Sequence, residues 1–303
     1  MLNLGLDIGG TKTEAVILNR EGEALSTQRI ATVKTGYPAF LHSLVDFIRH
    51  VTEGFNQPVS IGLCLPGTED ADTRVIKNSN IVVLNQQPLI RDLEHALQRP
   101  VAWDNDANCF TLSEATDGAA AQADIVFGAI LGTGCGGGLS MHKTLWPGRN
   151  RNAGEWGHNP LPHYAPEQDG PAVKCYCGQW NCTESFISGT GLARQYHQRH
   201  ALALDAKEFF QRLESGEADA AALFSLYKNQ LARALAAVIN IYDPDVIVVG
   251  GGLSRIPAIF DGLDRDVAKY VFNTACSTPI VAAKHGDSSG VRGAAWLGAR
   301  AMG

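Results

Sequence analysis

Asp7-Ile8-Gly9-Gly10-Thr11-Lys12 follows the apolar alternation of Leu2, Leu4 and Leu6 and leads into Ala15-Val16-Ile17-Leu18. That pattern reads as strand, glycine turn, strand, and Leu25 to Ile30 makes a third strand beyond the turn at Arg20 to Glu23. The theme restarts downstream. Ile125 to Leu131 is an apolar strand that runs into Gly132-Thr133-Gly134-Cys135-Gly136-Gly137-Gly138 and a further strand. Each restart opens an α/β unit.

In the first unit, Phe40, Leu41, Leu44, Val45, Ile48 and Val51 recur at helical spacing. Val59 to Leu65 and Val101 to Trp103 read as strands, and a helix is predicted over about 107–117. In the second unit, helices are predicted over roughly 187–199, 205–214 and 218–241, then a strand at Val246 to Val249 that ends in Gly250-Gly251-Gly252. A last helix spans 289–301. The Ala/Gly-rich stretch Gly118 to Gln122 marks the boundary, so one lobe is expected over 1–120, joined by the C-terminal helix at 289–303, and a larger one over 121–288.

With 303 residues, the chain can bury a core without disulfides. Hydrophobic residues at 45% and charged residues at 18% exclude a disordered chain. The net charge of −6 argues against a nucleic-acid partner. The sequence has neither a long apolar run nor a basic leader, so no membrane contact is expected and a cytoplasmic enzyme is the starting expectation. Seven cysteines, unevenly spaced, do not form a secreted disulfide framework.

Glycine turns let backbone N–H groups approach a phosphate. Gly9 to Lys12 can therefore be an anion cradle or an ordinary hairpin turn. An aspartate such as Asp7 repels phosphate unless it acts through Mg²⁺ or its waters. No Walker A motif occurs, and Gly132, Gly134 and Gly137 match G-x-G-x-x-G without the helix and acid a dinucleotide site needs. Gly250 to Gly252 suit a nucleotide or a tight strand-to-helix turn. Asp106, where a strand becomes a helix, can be an N-cap, a general base, or both. His158 with Cys175, Cys177 and Cys182 has the composition of a closed Cys₃His zinc site. Glu155 and Glu184 flank that loop as candidate acceptors for sugar hydroxyls.

Taken in order, Asp7 to Lys12, Asn105-Asp106, Gly132-Thr133-Gly134, Gly154-Glu155-Trp156-Gly157-His158, the cysteine run and Gly250 to Gly252 resemble the ROK family of bacterial sugar kinases and repressors. The resemblance implies the α/β, actin-like ATPase fold: two ribonuclease-H-like lobes, with ATP and sugar in the cleft. Ala153 to Pro162 and His285 to Trp296 resemble fructokinases that also accept mannose. The activity expected is therefore transfer of the ATP γ-phosphate to the 6-hydroxyl of fructose, with Asp106 as base. The alternatives are an N-acetylglucosamine kinase or a sugar-responsive repressor. A repressor's helix-turn-helix is expected before the first glycine motif, and Asp7 leaves no room for one.

The resemblance also assigns residues. Asn80, Asn105, Glu155, His158 and Glu184 are expected at the sugar. Gly5, Asp7, Gly9, Gly10, Thr11, Lys12, Gly132, Thr133, Gly134, Cys135, Gly136, Gly137, Gly251 and Gly252 are expected at ATP, with Mg²⁺. His158, Cys175, Cys177 and Cys182 are expected to hold structural Zn²⁺, and a homodimer is expected. Asn181 stands where the family usually has glycine, and Asn tolerates the left-handed backbone. Because the glycine hairpins belong to other strands, zinc is expected to act on the sugar side alone.

Overall fold

A computed structural model describes residues 1–70, 72–273 and 275–301. The chain divides into one unit of Met1–Ala121 with the segment from Asp287 onward, and a second of Gln122–Gly286.

The first unit opens with β1 (Leu2–Ile8), β2 (Lys12–Leu18), β3 (Ala24–Ala31), α1 (Tyr37–Thr52) and β4 (Val59–Cys64). A small hairpin, β5 (Thr68–Glu69) and β6 (Ile76–Lys77), precedes α2 (Leu89–Leu97), β7 (Ala102–Asp104) and α3 (Asp106–Thr116). The second unit holds β8 (Ile125–Leu131), β9 (Cys135–Met141), β10 (Thr144–Leu145), α4 (Pro166–Asp169) and α5 (Glu184–Ile187). It continues through α6 (Gly189–His200), α7 (Ala206–Glu214), α8 (Ala218–Tyr242), β11 (Val246–Gly250), α9 (Leu263–Ala268) and β12 (Ile280–Ala282). The terminal helix α10 (Ser289–Ala301) returns to the first unit.

The two main sheets share one plan. The first runs β3-β2-β1-β4-β7 and the second β10-β9-β8-β11-β12. In each, the first strand pairs antiparallel with the second, and the later strands add in parallel on its other edge. This is the ribonuclease-H-like arrangement, present twice.

Side-chain alternation gives each unit a main core, and in the first unit it also sends Val16 and Leu18 of β2 to a smaller cluster with Val291 and Ala295 of α10. Leu4, Leu6, Leu63 and Leu84 are buried against Phe40, Leu44 and Ile48 of α1 in the first. Phe127, Leu131, Tyr227, Leu231 and Val249 anchor the second around α8. Among the described residues no helix is long and apolar enough to cross a membrane.

Helix α10 lies very close to β1 and β4. A Cβ on Gly5 would fall 2.0 Å from Val291 O, and one on Gly62 1.8 Å from Ala294 O. Only glycine permits that approach. Gly5, expected at the nucleotide, is thus placed in mid-strand against the α10 backbone, away from the glycine turn.

Candidate active site

In the first unit, parallel pairing lines up acids at the carboxyl ends of the strands. Asp7 is opposite Cys64, and Cys64 is opposite Asp104. Ligands in open α/β sheets collect at such strand ends. The chain then turns into α3, and Asn105 caps that helix, its Oδ1 accepting the Asn108 N–H at 2.8 Å. The cap is therefore Asn105. Asp106 is the first helical residue, because Asp104 Oδ1 already accepts the Asn105 N–H at 2.9 Å and fixes the entry to the turn. Asp106 Oδ1 accepts the Ala107 N–H at 2.9 Å.

Both carboxyls are driven toward the protonated form. Burial pushes Asp7 up from 3.8 to about 6, against a hydrogen bond from the Cys64 thiol and with repulsion from Asp106. Burial pushes Asp106 up as well, against hydrogen bonds from backbone N–H groups. Two desolvated carboxyls within repulsive reach match a site for cations and transferable protons.

The Gly9–Lys12 turn is closed by Gly9 N–H to Lys12 O at 2.9 Å. It is braced by Thr32, a residue the sequence reading did not single out. Thr32 Oγ1 donates to Gly9 O at 2.7 Å, its N–H donates to Thr11 O at 3.0 Å, and its hydroxyl lies 3.1 Å from that of Thr13. A Cβ on Gly10 would meet nothing within 4 Å, so the turn is open above that residue. Lys12 is exposed and shares Glu14 with Arg29. Asn80 is exposed on a loop clamped by Asn85, which accepts from Ser79 N–H and donates to Ser79 O.

In the second unit, Gly132 and Thr133 line a cavity of about 1200 Å³ together with Gly252, Leu253, Arg255 and Ile256. Its far wall is Leu204 to Lys207 and Phe210, and Gly189 and Thr190 at the start of α6 complete it. Ser188 caps α6 by accepting the Gly191 N–H, so the helix points its positive end at the cavity. Thr190 Oγ1 donates to Thr133 O at 2.8 Å. Gly251 stands at φ 82°, where a Cβ would fall 2.4 Å from Leu131 O. The walls from α7 and Arg255 were not read from sequence, because tertiary packing alone brings them to the glycine turns.

Not every glycine of the 132–138 run faces that cavity. Gly136 O accepts the Trp156 indole N–H at 2.8 Å. Gly137 packs under the Gly154 carbonyl, at 2.7 Å from an added Cβ. These two positions seat the Gly154–His158 segment, and with it Glu155. Cys135 donates its N–H to Glu184 Oε2 at 2.8 Å. That bond corrects the expected independence of the two motifs: Glu184, two residues beyond Cys182, holds the glycine turn directly.

The soft donors converge. Ligand atoms of His158, Cys175, Cys177 and Cys182 lie within 4.8 Å of one another. His158 Nδ1 is 3.7 Å from Cys175 Sγ, and the Cys177 and Cys182 sulfurs are 3.5 Å apart. Tetrahedral zinc with Zn–S of about 2.3 Å needs sulfurs roughly 3.8 Å apart, so the donor set fits the metal. The backbone N–H of Gln179 leads in holding the Cys177 thiol down at about 7, toward the thiolate a metal takes. Asn181 takes φ 57°, the left-handed backbone, and its Oδ1 accepts the Val173 N–H at 2.8 Å.

The chain matches the family model described as the ROK family over residues 3–301. It is 38% identical over 297 residues to an N-acetyl-D-glucosamine kinase of Haemophilus influenzae, covering 97% of this chain and 98% of that one. A ROK hexokinase structure from Thermus thermophilus superposes with a TM-score of 0.87 at 26% identity, covering 100% of this chain and 99% of that one. A ROK family glucokinase from Streptomyces griseus, solved with glucose and AMPPNP, gives 0.75 at 27% identity, over 99% and 100% of the two chains.

Proposed function

The chain belongs to the ROK family and is a sugar kinase, and from that premise we propose that its acceptor is N-acetyl-D-glucosamine and its donor ATP with Mg²⁺. What carries the choice of acceptor is the end-to-end likeness to an N-acetyl-D-glucosamine kinase. The fructose expectation draws no support from the relatives described above. The fructokinase-like motifs at 153–162 and 285–296 do other work. The first seats Glu155 and His158, and the second includes most of the first turns of α10, packed on the sheet.

In this mechanism Asp106 accepts the proton of the sugar 6-hydroxyl as its oxygen attacks the γ-phosphorus. The bond from that phosphorus to the bridging oxygen breaks, and ADP leaves. Asp7 would hold Mg²⁺ or its waters, which neutralise phosphate charge. The N–H groups of Gly9 to Lys12 and of the Gly132 turn would face phosphates, and the large cavity beside Thr133 would take the nucleoside. Glu155 and His158 would bind sugar hydroxyls, with the second oxygen of Glu184. A coupled ADP-release assay over hexoses and amino sugars tests the assignment.

His158, Cys175, Cys177 and Cys182 would hold one Zn²⁺, which fixes the loop that carries the sugar groups. We expect one zinc per chain by elemental analysis, lost faster at low pH or with chelator because the ligands must be deprotonated. Cys177→Ser should raise the sugar KM. Nucleotide affinity should weaken as well, to a lesser degree, because Glu184 also holds the Gly134–Cys135 turn. Near-zero zinc in freshly purified active protein contradicts the assignment.

A further inference from the structure

We propose that Tyr176 occupies the seat of a sugar hydroxyl on His158 Nε2 and must leave it before the sugar binds. The proposal rests on the reading above that His158 faces the sugar.

The tautomer follows from the donor set. His158 Nδ1 points into the cysteine cluster, 3.7 Å from Cys175 Sγ. A nitrogen that offers its lone pair to a metal carries no proton, so the ring proton sits on Nε2. Nε2 is then a fixed N–H donor, and in the structure the Tyr176 hydroxyl fills its place at 3.1 Å. The phenol lies edge-on to the imidazole, with ring centroids 5.2 Å apart at 90°.

Two observations argue that Tyr176 is a replaceable occupant. It is 81% exposed, and the bond to His158 is the hydrogen bond found for its hydroxyl among the described residues. A phenol oxygen and a sugar hydroxyl offer the same acceptor to Nε2–H, so one excludes the other. Tyr176 lies between the ligands Cys175 and Cys177, so its backbone is held while its side chain can swing.

The cost of displacement is one neutral hydrogen bond, worth about 2–10-fold in affinity. Tyr176→Phe keeps the ring and removes the competing oxygen. On zinc-loaded protein, calorimetric titration with N-acetyl-D-glucosamine should give a Kd lower by about 2–10-fold than wild type, with zinc content unchanged. An unchanged or weaker Kd overturns the proposal; a weaker one would make Tyr176 a ligand of the sugar. Glu155→Gln, titrated in parallel, separates the two levels. If it weakens sugar binding while Tyr176→Phe changes nothing, the sugar site stands and the tyrosine's role falls. If neither variant shifts the affinity, the assignment of the sugar to this loop falls with it.

Discussion

Replacing Asp106 by Asn will lower kcat by about 10²–10⁴-fold, the usual worth of a positioned general base, and will leave sugar affinity nearly unchanged. Asparagine keeps the shape and can still accept the Ala107 N–H that holds Oδ1 at 2.9 Å. It cannot accept a proton. The same burial that raises the Asp106 pKa sets two pH signatures. The base must be ionised, so the acid limb of kcat/KM in the wild type should lie above the ordinary aspartate value of 3.8. Stability has the opposite sign. A raised folded-state pKa contributes stability below the unfolded value, and that contribution is lost as pH rises through the folded value. As pH rises through that folded value, the wild type takes on a buried charge that the Asn variant lacks. Asp106→Asn should melt at or above the wild-type temperature at pH 7, with the difference vanishing below about pH 4. A variant that keeps more than about a tenth of kcat would remove Asp106 from the chemistry.

Arg233→Met should cost about 3–5 kcal/mol of stability, the usual penalty for leaving one member of a buried ion pair behind. Arg233 and Asp169 are 2% and 0% exposed, joined at 2.5 Å. The guanidinium also donates to Pro162 O and His163 O, each at 2.9 Å. Gln230 and the Ala165 N–H complete the shell around Asp169, and Gln195 bonds Gln230 in turn. Methionine would leave the Asp169 charge buried with too few partners and release two carbonyls. The freed segment, 162–169, runs between His158 and Cys175, two of the proposed zinc ligands, so zinc release to chelator should also quicken. Urea unfolding with zinc present measures the first effect. Replacing both partners, Asp169→Leu with Arg233→Met, should recover much of the loss, since no unpaired charge remains. A loss below about 1 kcal/mol in the single variant would mean that Asp169 finds other compensation.

Much of the fold was legible because its central strands are short apolar runs, several of them closed by glycine turns, and because α1 repeats apolar residues at helical spacing. The sequence helix at 187–199 starts at Gly189, two residues later, because Ser188 turns its hydroxyl back to the Gly191 N–H. Short elements such as α5 and β12 carry too few residues to show a period. The glycines illustrate the other limit. Sequence marks where a side chain is missing but not what uses the space. Gly9 and Gly10 form an open turn, Gly5 admits α10, and Gly137 admits Gly154. Thr32 and the α7 wall of the cavity gave no local signal, since strand pairing and packing bring them to the turns. The acceptor sugar was the least legible feature. Hydroxyl-binding acids read alike for many sugars, and specificity is set by small differences in pocket contacts.

Competition between acceptors tests the central claim most directly. With MgATP and equimolar N-acetyl-D-glucosamine and fructose, the ratio of the two sugar phosphates formed gives the ratio of kcat/KM values. The account predicts that N-acetylglucosamine 6-phosphate dominates by at least about tenfold, the smallest ratio a shaped pocket commonly gives. Fructose phosphate in equal or greater amount would contradict it.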